Sequence, residues 1–387
     1  MHAGLYVHIP YCASLCPYCD FNSYASRQPP WRRYVDALLA EFAARRPLLG
    51  DQPIESVYFG GGTPSLMPTA ELKRLLTHLT AALPLVPQPE ITLEANPGTV
   101  SAATLAEARA VGINRLSIGW QSTHDRLLTR LGRAHTAQQG LEAVALARKA
   151  GFNNISVDLI FAVPGQTDRE LEEDLDALER LQIEHVSLYA LTFHDGTLFA
   201  RARSQGRLVA VDEDHEAAMM ERIRMRLTAA GFEHYEVSNY ARPNARARHN
   251  SLYWTGAAYL GLGAGAHSFM HRDWRIGWRW ETVRKPTAYL KAWANPGRAG
   301  LPESGDGSVE ACETLVPDTL MRERFLCGLR YADGLSIDEP VLKDRGAELA
   351  PAIARALSSG WATLTGRQLA PTPLGMRFAD SLAALFF

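Results

Sequence analysis

The chain has 387 residues, a length that predicts roughly two or three domains. Hydrophobic residues make up 47% of the sequence and charged residues 21%, so the chain can bury a core and does not have the composition of a disordered protein. The 40 Lys and Arg residues nearly balance the 42 Asp and Glu residues, which argues against a protein that must neutralise many phosphates. We therefore expect no nucleic-acid partner.

The N-terminal segment and the hydropathy of the chain predict a cytoplasmic protein that is not itself embedded in a membrane. The first residues lack the basic start and apolar stretch of a signal peptide. No segment reaches the roughly 18 consecutive apolar residues of a membrane helix. Three of the five cysteines lie close together, which in a reducing compartment favours metal or cluster binding over disulfides. Cys312 and Cys327 lie in helix-like sequence and are interpreted as buried core residues.

Short β-branched and aromatic runs alternate with helical periodicity along the first part of the chain. This alternation predicts parallel strands joined by right-handed crossovers, with C-cap glycines at Gly112 and Gly151. The predicted fold class is α/β, with a partial (β/α)6 barrel. Its predicted strands cover residues 5–9, 57–59, 91–94, 115–118, 155–161 and 185–191, and its predicted helices cover 34–45, 70–82, 103–111, 137–150, 169–181 and 212–230.

The rest of the chain has a different composition. Residues 242–280 are rich in Gly, Trp, His and Arg without clear periodicity, which predicts a loop region, and 295–308 resembles a linker. A small helical module with a β-wing follows, and its mixed charge favours packing against the barrel over nucleic-acid binding. We predict a barrel domain at 1–240, a loop-rich segment with linker at 241–308, and a helical, winged-helix-like domain at 309–387.

Three cysteines directly follow the first predicted strand. The C-terminal ends of barrel strands converge on one site, so we expect Cys12, Cys16 and Cys19 to lie beside the other strand ends. Three thiolates at this spacing can hold three irons of a four-iron cluster and leave the fourth iron open. A zinc site that His8 or His2 completes is the alternative.

Candidate ligand-binding groups follow the next strands. The glycines at 60–62 leave backbone N–H groups open to a charged ligand, although a tight turn without a ligand is the alternative. Glu94 and Asp158 can accept hydrogen bonds from an ammonium group or from ribose hydroxyls, and Arg133 can pair with a carboxylate. Taken singly, each of these charges also suits an ordinary surface or ion-pair position.

Together these motifs resemble the radical S-adenosylmethionine family, in the branch of anaerobic coproporphyrinogen III oxidase and the haem chaperone HemW. The motifs are LYVHIPYCASLCPYCDF, FGGGTPS, LEANPG, RLSIGWQS, LGRAHT, VDLIFAVPGQT, HYEVSNYA and HNSLYW. The resemblance implies a [4Fe-4S] cluster on Cys12, Cys16 and Cys19, with S-adenosylmethionine chelating the open iron. It implies contacts to S-adenosylmethionine from Tyr6, Tyr18, Gly61, Gly62, Thr63, Glu94, Gln121, Arg133, Asp158 and Thr192, the last only by its place after the sixth strand.

Two departures separate the chain from the oxidase members of this branch. The oxidases carry a fourth cysteine where this chain has Phe21, and they carry a longer segment before the first strand. HNSLYW resembles the HNxxYW motif to which haem binding is attributed, which implies haem contacts from His249, Tyr253 and Trp254. An imidazole can ligate haem iron and aromatic rings can cover the macrocycle. A loop that only covers the barrel mouth is the alternative, and His267 is a second candidate ligand.

The expected function is that of a haem chaperone-like protein that binds a [4Fe-4S] cluster, S-adenosylmethionine and haem, and transfers haem to an acceptor protein. The acceptor is unidentified, and a membrane-associated protein is one candidate. We expect no oxidation of coproporphyrinogen III. The alternative is a radical enzyme of porphyrin metabolism, an oxygen-independent coproporphyrinogen III oxidative decarboxylase.

Overall fold

One large mixed sheet forms the centre of the computed structural model, which describes residues 2–294, 300–302, 307–343 and 345–387. Six neighbouring strands run parallel in sequence order, and this confirms the predicted partial (β/α)6 barrel. The strands Ala3–Ile9 and Ile155–Phe161 are nearly continuous runs of buried residues because helices cover the outer face and the barrel interior is packed. The six strands are β1 (Ala3–Ile9), β2 (Ile54–Gly61), β3 (Leu85–Ala95), β4 (Arg115–Gln121), β5 (Ile155–Phe161) and β6 (His185–Ala190).

The helices that connect these strands lie close to their predicted positions. Ser101, Thr136 and Thr167 each form a capping box that fixes the start of a helix. Gly112 and Gly151 have φ values of +110° and +87°, as predicted for residues that end helices. The helices are α1 (Trp31–Arg45), α2 (Thr69–Ala82), α3 (Ala102–Ala110), α4 (Asp125–Arg130), α5 (Ala137–Lys149), α6 (Asp168–Leu181), α7 (Leu198–Ser204) and α8 (Glu213–Ala229).

The sheet extends beyond the six strands at both edges. β7 (Glu233–His234) and β8 (Asn239–Ala241) follow β6, and β8 pairs with it antiparallel. At the other edge β9 (Tyr259–Leu262) pairs parallel with β1. Three antiparallel strands complete that edge: β10 (His267–Arg272), β11 (Ile276–Thr282) and β12 (Val309–Leu315).

Two predictions for this part of the chain are wrong. Residues 242–280 are not a loop region, because they contain helix α9 (Arg248–Thr255) and most of three strands. These elements are short and pair with distant residues, so local periodicity does not reveal them. Cys312 lies in β12 rather than in a helix. The division of the chain into three domains stays a prediction, and of the predicted linker residues 295–299 and 303–306 lie outside the described residues.

The C-terminal residues pack against the antiparallel end of the sheet. Leu320 and Phe325 share a core with Phe269 and Trp274, which belong to β10 and the turn after it. Within the described ranges, no helix has both the length and the apolar character needed to cross a membrane. Further helices are α10 (Pro286–Ala292), α11 (Pro317–Gly328), α12 (Gly346–Ser358), α13 (Pro373–Arg377) and α14 (Ala379–Ala384). A three-stranded sheet consists of β13 (Leu335–Ser336), β15 (Gln368–Pro371) and β14 (Ala362–Thr365). Two short segments that flank the cysteine loop, Tyr11–Cys12 and Tyr24–Ala25, pair in parallel as a separate two-stranded sheet.

Candidate cofactor site

A cavity of about 440 Å³ opens at the C-terminal ends of the barrel strands. The sheet register brings the predicted residues to its wall, because Ile9 pairs with Gly61 and Gly119 pairs with Asp158. The wall contains all three clustered cysteines and every residue implied to contact S-adenosylmethionine except Tyr6. Those residues are Cys12, Cys16, Cys19, Tyr18, Gly61, Gly62, Thr63, Glu94, Gln121, Arg133, Asp158 and Thr192.

The loop that carries the cysteines is held by contacts from three sides. The carbonyl of Pro17 accepts a hydrogen bond from the backbone N–H of Phe199, at 3.0 Å. The ring of Pro17 also packs on Gly132, where a Cβ atom would lie 2.5 Å from Pro17 Cδ. Further along the loop, Asn22 Nδ2 donates to the carbonyl of Ala264 at 2.8 Å. Helix α7, the turn after α4 and the turn after β9 therefore hold the cysteine loop in place.

The glycine run after β2 packs directly on the cysteine loop. A Cβ atom at Gly62 would lie 2.9 Å from the carbonyl oxygen of Tyr11 and 3.0 Å from Cys12 Sγ. Gly61 has a φ of +113°, and a Cβ atom there would lie 2.5 Å from the ring of His8. These close approaches require glycine. The N–H groups of Gly61 and Gly62 already donate, to Glu94 at 3.0 Å and to the carbonyl of Ile9 at 2.8 Å, so the prediction that they are open to a ligand is wrong for these two glycines.

Arg133 joins the cysteine loop to the ends of β3 and β4. Its guanidinium donates to Cys16 Sγ at 3.4 Å and to the carbonyl of Gly119 at 3.1 Å. It also donates to Asn96, whose amide in turn donates to Thr63 Oγ1 at 3.0 Å. Asn96, in the LEANPG motif, is expected at this strand end but is not among the residues implied to contact S-adenosylmethionine, and it lines the cavity.

Two half-buried carboxyl groups lie on the cavity wall. Glu94 accepts hydrogen bonds from Tyr58 Oη at 2.8 Å and from the Gly61 N–H at 3.0 Å, and burial raises the pKa of Glu94 to about 7. Asp158 accepts from Ser117 Oγ at 3.0 Å, and burial raises the pKa of Asp158 as well. Both groups retain acceptor capacity for an ammonium group or a hydroxyl.

Backbone strain marks the end of β4. Gln121 has a φ of +74°, a conformation that residues other than glycine adopt only at a cost. A Cβ atom at Gly119 would lie 2.8 Å from Gln121 Nε2, so the Gln121 side chain folds back over its own strand. Gly119 therefore makes room for the amide group at the cavity wall.

The HNSLYW motif lies on α9, at the opposite end of the barrel from the cysteines. His249 is only 2% exposed, and its ring nitrogens hydrogen-bond to Ser56 Oγ and Tyr253 Oη, both at 2.8 Å. Burial lowers the pKa of His249 to about 3, so the ring is neutral. The structure therefore does not bring His249, Tyr253 or Trp254 to the cavity wall, and Asn250 is the motif residue that lines it.

Buried side chains hold α9 beneath the barrel. The backbone N–H groups of Arg248 and His249 both donate to the carboxylate of Glu90, each at 3.0 Å, which satisfies the helix N-terminus. At the other end of α9, Arg324 donates to the carbonyl of Trp254 at 3.1 Å. Glu90 is 3% exposed and Arg324 is 4% exposed, so water does not weaken either contact.

The other predicted histidines do not complete a zinc site with the cysteines. The ring nitrogens of His8 hydrogen-bond to Tyr6 Oη at 3.0 Å and to the carbonyl of Asn22 at 2.8 Å. His2 lies before β1 and hydrogen-bonds to Glu55. In the described parts of the chain, no three His, Cys, Asp or Glu side chains converge on a position for one metal ion. Three thiols spread along one cavity wall instead fit a multinuclear cluster.

His267, the second candidate haem ligand, lies on β10 and not on the cavity wall. Its side chain is 54% exposed, and its Nε2 atom is 3.7 Å from a carboxylate oxygen of Glu281. The glycine-rich turn before it therefore does not place this imidazole beside the cysteines.

Comparison with known proteins assigns this chain to a family. The Radical SAM superfamily model matches residues 6–178. A protein named "Heme chaperone HemW" from Mycobacterium tuberculosis is 36% identical over 377 residues, which cover 92% of this chain and 94% of that protein. The chain belongs to the HemW family. The HemW of Escherichia coli is 39% identical over 265 residues, covering 68% of this chain and 69% of its own length.

The fold of this HemW family member is also found in a solved structure. Coproporphyrinogen III oxidase (HemN) from Escherichia coli superposes with a TM-score of 0.81 and covers 100% of this chain and 90% of its own. At 22% sequence identity this match shows a shared fold. Together with the family model, it confirms the predicted α/β fold.

Proposed function

We propose that this HemW family member is a haem carrier that binds a [4Fe-4S] cluster, S-adenosylmethionine and haem, and delivers haem to an acceptor protein. One observation carries the cofactor part of this proposal. Cys12, Cys16 and Cys19 line the same cavity as the glycine run, Glu94 and Arg133. A cluster site and a site for a zwitterionic ligand therefore share one wall.

The residues of the cavity suit distinct groups of S-adenosylmethionine. In the proposed complex the three cysteines hold the cluster, Glu94 accepts from the ammonium group, and Arg133 pairs with the carboxylate. Asp158 accepts from the ribose hydroxyls. A bound cluster supplies one electron for reductive chemistry at the sulfonium, whereas the protein positions the groups and limits the access of water.

Phe21 supports the carrier over the oxidative decarboxylase. Its side chain is 66% exposed and lines the cavity, at the place where the oxidases carry a fourth cysteine. A phenyl ring offers no metal ligand and transfers no proton, so a group implied for the oxidase chemistry is missing.

The deciding experiment is an anaerobic assay with coproporphyrinogen III, S-adenosylmethionine and a reductant. A radical SAM coproporphyrinogen oxidase is assayed in parallel as the positive control. Reconstituted protein that binds ferric haem in a Soret titration but forms no protoporphyrinogen supports the carrier. Turnover of coproporphyrinogen III to protoporphyrinogen overturns it in favour of the decarboxylase.

The HNSLYW contacts and the cellular setting belong to this proposal as well. If His249 ligates iron, with Tyr253 and Trp254 against the macrocycle, α9 must first release the hydrogen bonds of His249 to Ser56 and Tyr253. A cytoplasmic location suits cluster cysteines that must stay reduced. The acceptor is proposed to be a haem-binding protein at the membrane.

A further inference from the structure

One histidine lies at the mouth of the cavity with an available ring nitrogen. His194 follows β6 on the cavity wall, and its side chain is 46% exposed. Its Nδ1 atom is 3.3 Å from Asp20 Oδ2, and Asp20 directly follows Cys19. Histidines that bind metals commonly donate one ring N–H to a carboxylate, which orients the ring and leaves the other nitrogen for the metal.

The second histidine on the cavity wall is not available in this way. His185 is 1% exposed, and its ring nitrogens hydrogen-bond to Ser156 Oγ at 2.7 Å and to Tyr235 Oη at 2.8 Å. His249 is likewise buried and hydrogen-bonded through both nitrogens. Of these three imidazoles, His194 is the one that a large ligand can reach without a change in the fold.

Exposed apolar side chains surround the same mouth. Leu15, Phe21 and Tyr189 line the cavity and are 53%, 66% and 45% exposed. Large apolar side chains grouped at one opening mark a binding surface rather than ordinary surface scatter. Two of the three are aromatic, and their ring faces suit a flat conjugated ligand.

A cation lies over the side chain of the residue before His194, although neither of these two side chains lines the cavity. The exposed guanidinium of Arg203 lies 5.1 Å from the ring centroid of Phe193, the residue before His194. It can pair with a carboxylate of a ligand that His194 holds. An imidazole, an apolar rim and a cation together match an iron porphyrin with carboxylate side chains.

We propose that His194 ligates the iron of haem at the mouth of the cavity, with Phe21, Leu15 and Tyr189 against the macrocycle. This inference rests on the proposed function and adds an accessible haem site to it. The site lies beside the cysteine loop and is distinct from the α9 contacts, which require His249 to release its hydrogen bonds.

The test is a titration of full-length, cluster-loaded protein with ferric haem, followed by Soret absorbance and low-temperature electron paramagnetic resonance. His194→Ala should weaken haem binding at least about 10-fold and remove the signature of a histidine ligand, and added imidazole should restore the spectrum. Asp20→Asn should keep haem but change the spectrum, because the ring loses its carboxylate partner. His215→Ala is the matched control, since His215 is also exposed and its ring also lies beside an aspartate, Asp168, at 2.9 Å.

An unchanged affinity and spectrum in His194→Ala would overturn the inference. So would loss of haem from His249→Phe when His194→Ala retains it, and that result would leave the carrier function intact. If the wild-type protein binds no haem, the carrier function itself fails, and this outcome is distinct from a failure of His194 alone.

Discussion

The imidazole of His249 stacks on the phenol ring of Tyr58, with 5.1 Å between ring centroids and 26° between ring planes. The hydroxyl of Tyr58 donates to Glu94, which also accepts from the N–H of Gly61. A single tyrosine therefore connects the HNSLYW motif at one end of the barrel to the glycine run at the other. We therefore expect a substitution at either end of the barrel to change the packing at the other end through this contact.

Replacing His249 with Leu should lower the free energy of unfolding by about 2–4 kcal/mol, because Ser56 Oγ and Tyr253 Oη lose their buried partner. Urea denaturation followed by circular dichroism measures the change. His215→Leu is the control and should cost no more than about 0.5 kcal/mol, since that ring is exposed. Equal losses in the two variants would contradict the structural role of His249.

A methyl group at Gly62 should displace the cysteine loop. The new Cβ would lie 2.9 Å from the carbonyl oxygen of Tyr11 and 3.0 Å from Cys12 Sγ, closer than side chains normally approach. We expect Gly62→Ala to retain less iron and sulfide after anaerobic reconstitution, with both quantified chemically. Gly346→Ala meets no atom within 4 Å and should reconstitute like the wild type. Full reconstitution of Gly62→Ala would show that the loop tolerates the displacement.

The affinity for S-adenosylmethionine should depend on the protonation of Glu94. Burial raises the pKa of Glu94 to about 7, so below that pH its carboxyl is mostly neutral and attracts an ammonium group poorly. Affinity should fall about 10-fold for each pH unit below 7 and level off above it. Calorimetric titration between about pH 5.5 and 8 measures this profile. Glu94→Gln should bind weakly with a much flatter profile, and a flat wild-type profile would exclude Glu94 as the titrating group.

Removal of Cys16 should abolish most of the bound iron and sulfide, because the cluster would lose one of its three proposed protein ligands. Cys312→Ala is the matched control, since Cys312 lies in β12, away from the cavity wall. The readout is iron, sulfide and zinc content by elemental and colorimetric analysis. Stoichiometric zinc in place of iron would favour the mononuclear site instead.

Local sequence was sufficient to predict the six parallel strands. Strands such as Ile155–Phe161 are buried on both faces, so they are continuous apolar runs, and the intervening helices start at Ser or Thr caps. The convergence of cysteines, glycines and carboxyl groups followed from the rule that parallel strands place their C-terminal ends together. All but one of the residues implied to contact S-adenosylmethionine therefore line one cavity, and their role as its ligands stays a prediction.

The position of His249 could not be predicted in the same way. Its partner Ser56 is 193 residues away in the chain, and the helix that carries it has only eight residues and a mixed polar pattern. The parallel pairing of Tyr259–Leu262 with β1 also depends on a distant edge rather than on local periodicity. His194 could not be identified from a motif either. It is distinguished by its distance to Asp20 and by the exposed side chains around it.

The place of β9 in the sheet has a consequence for synthesis on the ribosome. β1 is made first, yet its outer edge is completed only by Tyr259–Leu262, which pair with Gly4, Leu5, Tyr6 and Val7. A nascent chain without these residues exposes unpaired backbone groups on the strand that leads to Cys12. Assembly of the cysteine loop in its final position must therefore wait until most of the chain has left the ribosome, so cluster insertion is expected late in biogenesis.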